Sequence, residues 1–204
     1  MVGRQSALTL CRQPDSRVRQ CRTGSAQQQI YNLPGGGKMS DVPTDSVVGI
    51  MFVCLGNICR SPSAEGICRS KVEQRGWQQW VRVDSTGTAA FNIGKHPDPR
   101  AIAAAGRAGY DISHQIARQI APEDYASNHY IVAMDRVNLS SVKAWAPGGY
   151  GGDIGLLMHY AKRATHSQIA DPYYAGTEAF DKVIVTLESA IDDLLDVIGQ
   201  RAGV

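Results

Sequence analysis

Apolar positions along the chain follow two rhythms. From Val47 to Val53 they run almost without a break, the pattern of a strand covered on both faces in a parallel sheet. Tyr130-Ile131-Val132-Ala133-Met134 repeats that pattern. Val81-Arg82-Val83-Asp84-Ser85 alternates as a half-buried strand does, and Ile154 to Met158 reads as a weaker fourth strand. Between the strands the apolar spacing changes to three and four. Ala64, Ile67, Cys68 and Val72 line one side of a helix predicted over residues 61–75 and stopped by Gly76. Further helices are predicted over 98–106, over 136–145 ahead of Pro147-Gly148-Gly149, and over 177–198. Residues 114–125 read as loop with a short helix. In the last helix Phe180, Val183, Ile184, Leu187, Ile191, Leu194, Leu195 and Ile198 form a wide apolar face. Strands alternating with helices imply right-handed crossovers. The expected fold class is therefore α/β: a four-stranded parallel sheet with helices on both faces, a Rossmann-like three-layer sandwich over residues 47–200.

Residues 1–46 show neither rhythm. Gln, Ser, Gly and Arg predominate, and Pro34-Gly35-Gly36-Gly37 interrupts any element, so this stretch reads as a disordered N-terminal extension. Its arginines faintly resemble a transit peptide. Ala7 to Leu10, however, is a poor amphipathic helix and a short signal-peptide core. Met39 as the natural start, with a tag or mis-called leader upstream, is the preferred reading. The extension also distorts the charge. The 204-residue chain carries a formal net charge of +2, but residues 1–38 hold six basic residues against Asp15 alone. Residues 39–204 hold 15 basic and 18 acidic residues, a net of −3, which gives no electrostatic hint of nucleic-acid binding. No apolar run is long enough to span a bilayer. Cys11, Cys21, Cys54, Cys59 and Cys68 lie in the first third with no disulfide-scaffold or zinc-ligand spacing, which points to a reducing compartment, the cytoplasm.

The first strand runs into Cys54-Leu55-Gly56-Asn57-Ile58-Cys59-Arg60-Ser61-Pro62. Ser61 and Pro62 read as the N-cap and first position of the helix that follows. Cys54 to Arg60 is then a loop between the C-terminal end of a strand and the N-terminal end of a helix, the crevice in which open α/β sheets bind ligands. Unpaired N–H groups at a helix start suit an anion such as phosphate. Gly56 allows a tight turn, Asn57 tolerates a left-handed conformation, and the N–H groups of such a loop form an inward-facing nest. The planar fork of Arg60 grips two phosphate oxygens. The same positive field favours the Cys54 thiolate, the nucleophilic form. A nucleotide-binding loop is unlike this one, because no Gly-Lys-Ser/Thr follows the glycine.

Cys54 to Pro62 with Ala64-Glu65, Ser85-Thr86-Gly87-Thr88, Asp98-Pro99-Arg100, His114 with Ala117-Arg118-Gln119, Ala133-Met134-Asp135, and Asp171-Pro172-Tyr173-Tyr174 occur in that order. With them the chain resembles the low-molecular-weight protein tyrosine phosphatases over roughly residues 47–200. The resemblance implies hydrolysis of phosphotyrosine, and of small aryl phosphates, through a phosphocysteine intermediate. Cys54 would be the nucleophile, Arg60 the phosphate clamp and Asp171 the general acid and then base. The phosphate-binding loop would comprise Leu55, Gly56, Asn57, Ile58, Cys59 and Ser61. Ser61, Ser85 and His114 would support Asn57, and Leu55, Phe91, Asn92, Tyr173 and Tyr174 would line the substrate cleft. Cys59 would be a redox partner, forming a reversible disulfide with Cys54. The family needs no metal and no cofactor. Its partners are phosphotyrosine proteins, including cognate tyrosine kinases, with no nucleic acid and no membrane insertion.

Two rivals share the expected fold. Thiol-dependent arsenate reductases need further cysteines downstream, and none follows Cys68. Protein-arginine phosphatases tend to carry threonine where Ile58 stands and lack two tyrosines after Asp-Pro. A rival from another class is a phosphotyrosine-binding pseudophosphatase. Cys54, Arg60 and Asp171 together argue for turnover.

Overall fold

The computed structural model describes residues 47–204, so the extension expected over 1–46, with Met39, lies outside the described residues. β1 (Val48–Cys54) is buried at all its positions. It is flanked by β2 (Val81–Gly87) and β3 (Tyr130–Ala133), and β4 (Asp153–Leu156) closes the far edge, giving the order β2-β1-β3-β4 with every pairing parallel. Side chains alternate across β1. Ile50, Phe52 and Cys54 enter one core and Met51 and Val53 the other. That two-sided burial is why the sequence of β1 shows no polar alternation.

The larger core lies under α1 (Arg60–Gln74), α2 (Pro99–Arg107) and α5 (Thr177–Ala202), which supply Ala64, Ile67, Cys68, Ala104, Leu187 and Leu194 among others. The smaller core lies under α3 (Pro122–Ser127) and α4 (Arg136–Trp145), which supply Tyr125 and Val142. Truncating Ile67 or Leu187, both wholly buried, would cost about 2–5 kcal/mol. Several boundaries shift by a residue or more from expectation, and three of the shifts have a plain cause. β2 continues past Ser85 to Gly87, because Thr86 and Gly87 pair with Val53 and Cys54. β4 ends at Leu156, and a 3-10 turn over Leu157–His159 takes the rest of the apolar run. α5 extends four residues beyond Ile198 to Ala202 and stops where Gly203 turns left-handed.

The strand order reverses direction at β1, with β2 to one side and β3 to the other. Such a switch point opens a crevice at the C-terminal ends of the strands. Cys54 ends β1 there, Gly87 ends β2, and Met134-Asp135 follows β3. Among the described residues no helix is long and apolar enough to cross a membrane.

Candidate active site

The loop from Cys54 to Arg60 is held from outside by backbone contacts. Thr88 N–H donates to Cys54 O at 2.9 Å, Ala89 N–H to Leu55 O at 2.9 Å, and Asp98 N–H to Ile58 O at 2.7 Å. Gly87 must be glycine for this approach, since a Cβ there would stand 2.8 Å from Leu55 O and 3.1 Å from Asn57 N. Asn57 has φ +54°, the only non-glycine residue with positive φ among the described residues. Its backbone N–H points at Cys54 Sγ, 3.3 Å away. Its side chain is fully engaged: Nδ2 donates to Ser61 Oγ and to Ser85 Oγ, each at 2.9 Å, and Oδ1 accepts from Arg118 N–H at 2.9 Å.

Ser61 does not cap α1. Cys59 occupies the cap position, without a side-chain cap bond. The Ser61 hydroxyl is instead 3.0 Å from Cys54 Sγ and 3.1 Å from Thr86 O. It has one hydrogen for these two acceptors. It therefore donates to the sulfur when Cys54 is a thiolate and to Thr86 O when the thiol itself is the donor. Ser85 Oγ, one step behind Asn57, donates to Glu65 Oε2 at 2.7 Å. Burial raises the pKa of Glu65 against the lowering effect of its Ser85 and Arg69 bonds.

Arg60 is the first residue of α1, and its side chain is buried. Nη1 donates to Asp135 Oδ2 at 2.7 Å and to Ile169 O at 3.1 Å, while Nη2 donates to Asp171 Oδ2 at 2.6 Å. Burial works against its charge, but Cys54, Asp171 and Asp135 outweigh burial and raise its pKa. Asp171 also accepts Tyr173 N–H on Oδ1 at 3.1 Å, so the Asp-Pro turn and the carboxylate facing the loop are one feature. Cys59 is buried beside Cys54. Burial, then Asp98, Cys54 and Asp171, push its thiol up to about 12.

The cleft above Cys54 has a volume of about 350 Å³. Leu55, Gly56, Ile58, Cys59, Arg60, Phe91, Asn92, Lys95, Asp171, Tyr173 and Tyr174 line it, so every wall residue expected from the sequence is present. Asn92 is buried, with Nδ2 3.4 Å from Gly56 O and Oδ1 accepting from Lys95 Nζ at 3.0 Å. Phe91 is mostly exposed, and Tyr174 (99% exposed) stands edge-on to Tyr173 at 5.0 Å.

His114 is the one expected residue that the fold leaves outside this arrangement. The turn at Asp111, which accepts Ser113 N–H and Oγ–H, buries Ile112 and turns His114 out to solvent. The neighbouring Gln115 is the side chain that faces α1, donating to Pro62 O at 3.1 Å. The amide of Asn57 is met by Arg118 and, through Ser85, by Glu65. Glu65, Arg118 and Asp135 all stand in the recurring motifs, but the sequence alone assigned them no task.

The family model for low molecular weight phosphotyrosine protein phosphatase matches residues 49–202. A putative low molecular weight protein-tyrosine-phosphatase of Synechocystis is 38% identical over 153 residues, 74% of this chain and 97% of that protein. Among solved structures, a protein tyrosine phosphatase from Entamoeba histolytica is similar with a TM-score of 0.71 at 31% identity, covering 76% of this chain and 98% of its own. A Drosophila protein described as an arginine phosphatase is similar with a TM-score of 0.68 at 30% identity, covering 73% of this chain and 96% of its own.

Proposed function

The chain belongs to the low molecular weight phosphotyrosine protein phosphatase family, and from that premise we propose that it hydrolyses phosphotyrosine in proteins through a phosphocysteine. The observation that carries the reading is the meeting of Arg60 with Asp171, 111 residues apart, over the loop that begins at Cys54. In the first step Cys54 Sγ attacks phosphorus while the bond to the tyrosine oxygen breaks. Asp171 delivers a proton to that oxygen, so a neutral phenol leaves. Arg60 and the loop N–H groups take up the charge on the equatorial oxygens. Asp171, now a carboxylate, accepts a proton from water as the water attacks phosphorus. The sulfur–phosphorus bond breaks and phosphate leaves.

The apolar walls favour an aryl substrate, because Ile58, Phe91 and Tyr173 bury a ring that a guanidinium does not offer. Family membership leaves the arginine phosphatase reading open, since one similar structure carries that description. A panel of matched phosphotyrosine and phosphoarginine peptides decides between them. At least a tenfold preference in kcat/KM for phosphotyrosine is expected, on the order of 1.4 kcal/mol, and the opposite preference overturns the reading. Asp171→Ala should lower kcat on phosphotyrosine by roughly 10²–10⁴-fold. Normal turnover by that variant would remove Asp171 from the mechanism.

The free thiols Cys54, Cys59 and Cys68 suit the cytoplasm, where a tyrosine kinase would supply the substrates. Under peroxide, Cys54 thiolate displaces hydroxide from the oxidant and becomes a sulfenic acid. Cys59 then attacks that sulfur and water leaves, which closes a disulfide. Cys59 must lose its proton to attack. With its thiol pushed up to about 12, closure should accelerate about tenfold per pH unit through the neutral range wherever this step limits the rate. Mass spectrometry of quenched samples follows it. Sulfonic acid at Cys54 with no Cys54–Cys59 link at any pH would dismiss the pairing.

A further inference from the structure

Arg118 touches Asn57 with its backbone and reaches Asp84 with its side chain. Nη2 donates to Asp84 Oδ2 at 2.6 Å and to Asp124 Oδ1 at 2.9 Å, and Nη1 donates to Asp124 Oδ2 at 2.9 Å. The main chain on either side is stitched to the end of β2. Gly87 N–H donates to Arg118 O at 2.8 Å, and Ile120 N–H donates to Gly87 O at 2.9 Å. Asp84 faces two ways, since its Oδ1 also accepts Ser85 N–H at 2.8 Å. Ser85 in turn accepts from Asn57 Nδ2. The contacts therefore close a ring: Asn57, Ser85, Asp84, the Arg118 guanidinium, the Arg118 N–H, and Asn57 again. The Asn57 amide oxygen is met by Arg118 itself, and its nitrogen in part by Ser85, whose N–H rests on the Asp84 that Arg118 holds.

We propose that Arg118 and Asp84 are positioning residues for the phosphate-binding loop, a paired charge that fixes the Asn57 amide from both sides. An asparagine with φ near +54° keeps that conformation only while its surroundings over-determine it. The N–H groups of a nest act on the transition state when they are already aimed, so a small loss of aim lowers the rate of the chemical step. Ground-state binding also draws on the Arg60 charge and the apolar walls, which the ring does not touch. Loss of the Arg118–Asp84 pair therefore lowers kcat and leaves KM nearly in place. The kinetic side of this inference rests on the phosphatase reading; the structural side does not.

The test uses Arg118→Gln, Asp84→Asn, their double variant and Arg118→Lys in the full chain. With p-nitrophenyl phosphate, each single variant should lower kcat about 10- to 100-fold with KM changed less than about threefold. The double variant should cost little more than the worse single one, because both break the same ring. Arg118→Lys, which keeps a charge on Asp84, should recover part of the loss. Val142→Ala, on the same face of the sheet but away from the loop, controls for stability alone. In ligand-free protein, the amide resonances of Gly56, Asn57 and Ile58 should shift in Arg118→Gln and Asp84→Asn and stay in place in Val142→Ala. Unmoved loop resonances, or a kcat loss matched by Val142→Ala at equal loss of melting temperature, would overturn the proposal. If the wild type turns over no phosphate ester, the phosphatase reading fails and the resonances still decide this one.

Discussion

Cys54→Ser is expected to leave no turnover above background, a fall of at least about 10⁴-fold in kcat. The loop makes this substitution more damaging than a change of one atom suggests. Cys54 Sγ accepts from Asn57 N–H at 3.3 Å and lies 3.0 Å from Ser61 Oγ, distances that suit sulfur and are long for an alkoxide. A serine hydroxyl at neutral pH is also protonated, and no base within the loop removes its proton. Ser61 is itself a hydroxyl, and Asp171 is engaged by Arg60. The remaining cradle is unchanged by the substitution, so a phosphotyrosine peptide should still bind within about threefold of the wild-type affinity. Calorimetry with the peptide and hydrolysis of p-nitrophenyl phosphate measure the two sides. Residual kcat within a hundredfold of wild type would mean that another group attacks phosphorus. Loss of binding together with loss of rate would mean that the variant has lost the loop rather than the nucleophile. Rapid quenching of the wild type should trap phosphate on Cys54, and the variant should trap none.

How much of this site is legible in the sequence depends on how local each contact is. The loop is legible because its chemistry is contiguous: an apolar strand, a cysteine, a glycine and asparagine, and an arginine at the helix start. Local rules then mislead at Ser61. Ser-Pro at a helix start reads as a cap, but the tertiary fold brings Thr86 O and Cys54 Sγ within reach of the hydroxyl, and the cap position falls to Cys59. His114 fails for a different reason. Residues 111–118 lack the spacing that sets a register, so nothing in the sequence says which of His114, Gln115 and Arg118 faces inward. The burial of Ile112 and the stitching of Arg118 to Gly87 settle that in the fold. Asp135 stands in the sequence only within Ala133-Met134-Asp135, just past the third strand, and in the fold it caps α4 by accepting Asn138 N–H. Its bond to Arg60 spans 75 residues and leaves no local signature. Asp171 is farther still, 111 residues from Arg60, and is legible only through the resemblance.

Arg60→Lys is expected to lower kcat/KM by roughly 10³-fold or more, although the charge is kept. The guanidinium divides its work by nitrogen. Nη1 is held by Asp135 and the Ile169 carbonyl, and Nη2 faces Asp171 over the loop. On the proposed reading one side of the fork is the anchor and the other is the side that would meet phosphate. A lysine ammonium has a single nitrogen, so anchoring to Asp135 and reaching phosphate become alternatives. Asp171 sharpens the contrast. In the structure it occupies Arg60 Nη2, so on the proposed reading phosphate would bind by displacing a carboxylate. Asp171→Asn removes that competing charge and should tighten inorganic phosphate by several-fold while lowering kcat. Arg60→Lys should weaken phosphate and lower kcat together. Phosphate inhibition constants for the two variants, measured at one pH and ionic strength, are thus expected to move in opposite directions from wild type. If Arg60→Lys keeps its phosphate affinity, the clamp lies in the loop N–H groups alone. If Asp171→Asn weakens phosphate, Asp171 is a ligand for the anion and not its rival for Arg60.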